Sequence, residues 1–108
     1  MKAFTEKTII KNVKKADTFL SRLVGLLNRK SIRDDEGLLL VNCSSIHLFF
    51  MKFTIDAVYL SNNMKVLYKE TIKPWRIGKN VKKCAHILEL HEGKAIYISV
   101  GDIIVFSE

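Results

Sequence analysis

Apolar residues recur with two periods along this chain, and the change between them divides it. Near the N-terminus, Thr8, Ile9, Ile10 and Val13 form a β-branched run that predicts a first strand over Thr8 to Val13. Asp17 then offers an N-cap, and Phe19, Leu20, Leu23, Leu26 and Leu27 follow at helical spacing. This predicts one amphipathic helix over Thr18 to Asn28, with Gly25 marking close packing or an early end. From Gly37 onward the pattern is of short strands: Leu38 to Val41, Ile46 to Met51, Ile55 to Leu60, Lys65 to Ile72, Cys84 to Leu90, Ala95 to Val100 and Ile103 to Phe106. Asn62-Asn63 reads as a hairpin turn, because asparagine tolerates positive φ, and His91-Glu92-Gly93 and Gly101-Asp102 punctuate the later strands.

About six or seven short strands with one early helix predict a mainly β fold, an antiparallel β-sandwich or partly open barrel. At 108 residues the chain fits a single domain, residues 1–108. A domain of this size buries roughly two-thirds of its unfolded surface and needs no disulfide to fold. There is no internal repeat, low-complexity tract or linker. Hydrophobic residues at 48% and charged residues at 27% are globular values, and the apolar runs are too short for a membrane span. Met1 to Val13 lacks the pattern of a secretory signal, so a cytoplasmic address is expected, with Cys43 and Cys84 as thiols rather than a disulfide.

The net charge is +7, and basic residues cluster at Lys11, Lys14 and Lys15, at Arg29, Lys30 and Arg33, and at Lys79, Lys82 and Lys83. Such an excess attracts phosphate backbones or an anionic membrane face. These residues lie at predicted element ends, without a basic recognition helix or a run of interleaved aromatics. Nucleic-acid binding is therefore the lesser reading.

The densest chemistry lies in His47-Leu48-Phe49-Phe50-Met51-Lys52-Phe53-Thr54-Ile55-Asp56, downstream of Cys43. Burying a His, a Lys and an Asp in so apolar a run requires partners or a ligand. Strand alternation puts Cys43, His47 and Met51 on one face, and Cys84 and His86 share a face on their own strand. Cys43, His47, Cys84 and His86 thus form a conceivable zinc set, though their spacing is looser than in structural zinc sites and no metal or cofactor is expected. A Cys43-His47 dyad on one extended strand would be about 13 Å apart and would need a bulge to meet. Asp56 needs Arg29, Lys52, Arg76 or backbone amides beside it. A buried pair with Arg29 would lock helix to sheet, while an open pocket would make Asp56 a ligand anchor. Glu89, between Leu88 and Leu90, poses the same choice, and Asp102 reads as a turn residue bonding backbone. Trp75 and Arg76 after Pro74 have the composition of an interface hot spot on a loop, or of an indole clamped over one end of the fold, the reading slightly preferred.

Ser21-Arg22-Leu23-Val24-Gly25-Leu26-Leu27-Asn28-Arg29, Cys43 to His47 running into Phe49-Phe50-Met51-Lys52-Phe53 and Ile55-Asp56, Pro74-Trp75-Arg76, Leu88-Glu89-Leu90 with Gly93, and Gly101-Asp102 stand in an order that resembles the family called domain of unknown function 192. The resemblance runs from about Ala16 to Val105. It implies a small, mainly β domain with one helix, found alone or after a signal peptide, sometimes encoded near pilus-assembly or secretion genes, and no established reaction. The chain departs from that pattern at Leu48, where threonine is usual, at Thr54, where proline is usual, at Asn28, Asn62-Asn63 and His91-Glu92. Loss of a threonine hydroxyl at Leu48 weakens any catalytic His-Thr pair.

The reading is a small binding or accessory module that engages a protein partner or small ligand through a pocket around His47, Met51, Lys52 and Asp56, with Arg29, Trp75, Arg76 and Glu89 as further candidates. A monomer or weak dimer is expected. The alternatives are a small enzyme using His47 with Asp56, or Cys43, and a basic nucleic-acid-binding protein.

Overall fold

The computed structural model describes residues 1–18, 26 and 29–108. Its strands are β1 (Lys2–Phe4), β2 (Ile9–Ile10), β3 (Asn12–Ala16), β4 (Glu36–Leu40), β5 (Ile55–Leu60), β6 (Val66–Ile72), β7 (His86–His91) and β8 (Val105–Ser107), with a 3-10 helix at Lys94–Tyr97. They form a three-stranded sheet in the order β2-β1-β8 and a five-stranded sheet in the order β3-β4-β7-β5-β6.

The fold is mainly β, as the strand pattern predicts, and the two sheets are open. Neither closes into a barrel among the described residues. Nor is the pairing wholly antiparallel, because β3 runs parallel to β4 from Asn12↔Glu36 to Ala16↔Leu40. A parallel pair needs a crossover, and residues 17–35 provide its length. The helix expected over Thr18 to Asn28 falls, apart from Thr18 and Leu26, outside the described residues, which contain no α-helix.

β5 sits between β6 and β7, and all six of its residues are buried. Alternation sends Ile55, Ala57 and Tyr59 into one apolar layer and Val58 and Leu60 into the other. The first layer is completed by Ile46, Leu48 and Met51, together with Leu26 and Ile32. The second is completed by Ala3 and Ile10 of the small sheet, and by Ala95, Ile98 and Ile104.

Two predicted strands are not strands. Ile46 to Met51 is irregular, with a single bridge from His47 to Ile77, because Asn42 (φ 55°) and Phe50 (φ 66°) turn the backbone out of the extended region at either end. Ala95 to Val100 opens in the 3-10 helix instead. Gly93 enters it at φ 91°, a left-handed conformation that costs glycine little. The β5–β6 hairpin falls at Asn62-Asn63 as expected, but the positive φ (66°) is taken by Met64. Asp102 does bond backbone, accepting the Ser99 N–H at 2.9 Å.

Asp56 holds the 3-10 helix in place. It alternates to the second layer, only 3% exposed, where Oδ2 accepts the N–H groups of Gly93 (3.0 Å) and Ala95 (2.9 Å) and Oδ1 accepts the Thr71 hydroxyl (2.8 Å). Backbone amides thus partner Asp56. Arg29 pairs elsewhere, so no Asp56–Arg29 lock exists. Asp56→Ala strands two backbone donors and is expected to cost about 2–4 kcal/mol. A urea denaturation series measures this, and a loss under about 1 kcal/mol would mean that water replaces the carboxylate freely.

Candidate functional site

Two irregular segments, residues 42–54 and 73–85, lie against one another over the first apolar layer. The Leu48 N–H donates to the Arg76 carbonyl (2.8 Å), the Trp75 N–H to the Leu48 carbonyl (2.7 Å) and the Gly78 N–H to the Ile46 carbonyl (2.9 Å). Ile46, Leu48 and Met51 point into the core, so His47 and Phe50 are left outward. Gly78 has no alternative here, since a β-carbon would collide with the Tyr59 hydroxyl and an Ile46 methyl.

The outer face carries an aromatic cluster. His47 stacks near Phe49 with centroids 4.6 Å apart, Phe49 lies 6.1 Å from Trp75, and Phe50 lies 4.7 Å from Trp75 at 58°. Phe50 is 67% exposed, Trp75 58% and Ile77 72%. The indole is therefore not clamped beneath a loop as expected. Phe50 (φ 66°) and Trp75 (φ 67°) both adopt the left-handed conformation. Bulky aromatic residues rarely do so, at a cost of order 1–3 kcal/mol each, and the hydrogen bonds between the segments hold them there.

Charge within the two segments has one sign. Residues 42–54 and 73–85 contain Lys52, Lys73, Arg76, Lys79, Lys82 and Lys83, all exposed, and no aspartate or glutamate. The second segment is fastened to the sheet beneath by Glu70, which accepts the Lys79 N–H at 2.8 Å and the Tyr59 hydroxyl. Burial, reinforced by the bond to Glu70, pushes the Tyr59 hydroxyl far up, so it remains a donor. The Lys79 ammonium also lies 5.1 Å above the Tyr68 ring.

The other sequence candidates disperse. His47 is exposed, its Nδ1 accepting the Phe49 N–H at 3.3 Å, and Asp56 points to the opposite side of β5, so the two do not share a face of the sheet. Met51 is a core residue, whereas Lys52 and Arg76 are exposed on the two segments. Arg29 makes a two-bond ion pair with Glu36 at 2.8 Å. That hydrogen bonding holds the Glu36 carboxyl down at about 2. His86 is buried, which lowers its pKa, and Nδ1 accepts the Asn42 N–H at 3.0 Å. The Cys43 thiol donates to the Ser45 carbonyl at 3.1 Å. Among the described residues no three His, Cys, Asp or Glu side chains gather as metal ligands, so Cys43, His47, Cys84 and His86 do not form a set. Sequence reasoning missed Phe50 and Ile77. The signal available was two acid-free stretches, one holding Phe49, Phe50 and Phe53 and the other Trp75.

Glu89 stands on β7 opposite Ala57 and Leu38, facing the first layer, and is 6% exposed. Burial pushes its carboxyl up to about 7.

A family model described as DUF192, an uncharacterized ACR, matches residues 2–106. The chain belongs to the DUF192 family. It is similar to the UPF0127 protein of Thermococcus kodakarensis, 34% identical over a match 100 positions long that covers 85% of this chain but 62% of that protein. It is also similar to that of Pyrococcus furiosus, 32% identical over 101 residues, 89% of this chain and 87% of the relative. Two crystal structures share the fold at low identity. One is a Novosphingobium aromaticivorans protein of unknown function (TM-score 0.84, 16% identity, 97% of this chain and 82% of that one). The other is a putative transcription regulator from Sinorhizobium meliloti (TM-score 0.79, 19% identity, 96% and 89%). No described helix is long and apolar enough to cross a membrane.

Glu89 makes stability depend on pH. Its folded pKa of about 7 lies above the ordinary 4.5, so the folded state binds the extra proton in this window. The contribution is fully present below the lower value and is lost as pH rises through the higher one, by about 3 kcal/mol in total. Urea midpoints should therefore fall between pH 5 and pH 8.5, and Glu89→Gln should flatten that part of the profile. An unchanged slope in Glu89→Gln would assign the dependence to another group.

Proposed function

We propose that this protein is a binding module and that its binding surface is the aromatic cluster of residues 46–51 and 73–79, not a pocket between His47 and Asp56. The supporting observation is the exposure of Phe50, Trp75 and Ile77 together, on backbone held in place by hydrogen bonds between two segments that carry six cations and no acid. Exposed Trp, Phe and Arg side chains on a fixed backbone are the composition of a hot spot, because they bury much apolar area while losing little freedom. The exposed cations Lys52, Lys73, Arg76 and Lys79 on the same segments select by charge. The occupant that fits is a segment of a partner protein bearing an aromatic or branched apolar anchor flanked by Asp and Glu.

Nucleic acid is the competing class, and the Sinorhizobium meliloti structure is described as a putative transcription regulator. Flat, sequential stacking favours single strands, whereas Phe50 and Trp75 meet at 58° and Ile77 presents no ring. For the enzymatic alternative, the opposite placement of His47 and Asp56 weighs against that pair as acid and base and leaves Cys43 as its remaining candidate.

Selection of peptides from a random display library against the folded protein tests the reading. The selected peptides should be acidic with an apolar anchor and should shift the emission of Trp75, the single tryptophan. Trp75→Ala and Phe50→Ala, folded by circular dichroism, should each raise Kd at least tenfold, or about 1.4 kcal/mol. Selection without acidic bias, binding indifferent to both variants, or tighter binding of an oligonucleotide at the same salt would overturn it.

A further inference from the structure

The two cysteines lie at the sheet ends of the two segments just described. Beyond β4 the chain keeps to the approach to β7, where the Cys43 N–H donates to the Ala85 carbonyl at 2.9 Å. From the other side the Cys84 sulfur reaches Cys43 itself, lying 3.8 Å from its carbonyl oxygen. Neighbours across antiparallel chains have Cα atoms ~5 Å apart, and a disulfide spans roughly 4.4–6.8 Å between Cα atoms. Both side chains pack at the margin of the same apolar layer, half-buried and therefore open to a small oxidant.

We infer that Cys43 and Cys84 are a reversible dithiol–disulfide pair which ties the segment beginning at residue 43 to the segment ending at residue 84. This does not rest on the proposed function. The oxidant is a low-molecular-weight disulfide, RSSR. Burial pushes the Cys84 thiol up, which disfavours its thiolate and leaves the first attack to Cys43. The Cys43 sulfur, having lost its proton, bonds to one sulfur of RSSR; the RS–SR bond breaks, and the departing RS⁻ takes a proton to become RSH. The Cys84 sulfur, deprotonated in turn, attacks the Cys43 sulfur of the mixed disulfide, and a second RSH leaves. The protein loses two electrons and two protons, and RSSR becomes two RSH.

The test is incubation of the native protein in reduced and oxidised glutathione over a range of ratios, followed by acid quench, intact mass and peptide mapping. The expected product is a monomer lighter by two hydrogens. Both cysteines should be lost to alkylation, with a cross-linked peptide joining Cys43 to Cys84 that dithiothreitol reverses. Cys84→Ser should halt at a glutathione adduct on Cys43; if that variant does not fold, the wild-type map alone decides. Persistent glutathione adducts on the wild type without the cross-link, an intermolecular dimer, or a cross-link formed only in urea would overturn the assignment.

Discussion

A strand buried on both faces must be covered twice, and that constraint shapes this molecule. β5 exposes none of its side chains. One face is covered by the small sheet and the 3-10 helix. The other is covered in large part by irregular chain, through Ile46, Leu48 and Met51. Chain without a ladder of its own must still satisfy its backbone groups, and it does so by pairing with residues 73–79. The aromatic surface is a consequence of that cover. With one set of side chains committed inward, the intervening His47 and Phe50 are held outward.

Carboxyl groups on the central strands divide by what they meet. Asp56 is matched by two backbone donors and a hydroxyl and secures the turn after β7. Glu70 fastens residue 79 to the sheet by accepting its N–H directly, and also accepts the hydroxyl of Tyr59, which burial keeps protonated. Glu89 is buried against the first layer, and its raised pKa is the cost of that position. These carboxyl groups sit on adjacent strands, yet the first two stabilise local geometry while the third is tolerated chiefly as an acid.

The legible parts of the sequence were those where local pattern and tertiary environment agree. Ile55–Leu60 is a strand over the predicted residues, and β4, β6 and β7 lie within a few residues of expectation. The run Ile46 to Met51 misled because alternate burial in a loop laid over a core mimics a strand, and positive φ at Asn42 and Phe50 has no glycine to announce it. Ala95 to Val100 misled because its turn depends on a carboxylate far away in sequence. The parallel β3–β4 pair and the short β1 depend on neighbours that no local pattern names. At the site, Trp75 and Arg76 were recognisable as hot-spot residues, but their assembly with Phe50 and Ile77 required the fold. The joining of His47 to Asp56 failed because one residue of alternation sends Asp56 to the other side of the sheet.

The central claim is that the aromatic surface is a fixed part of the fold, held by the pairing of two irregular segments. Native-state amide hydrogen exchange of the free protein tests it most directly at the N–H groups of Leu48, Trp75 and Gly78, which carry that pairing. The account predicts slow exchange for all three, with opening free energies approaching those of β5 amides. Exchange at the rates of unstructured chain, while β5 remains protected, would contradict it and make the cluster a mobile loop feature.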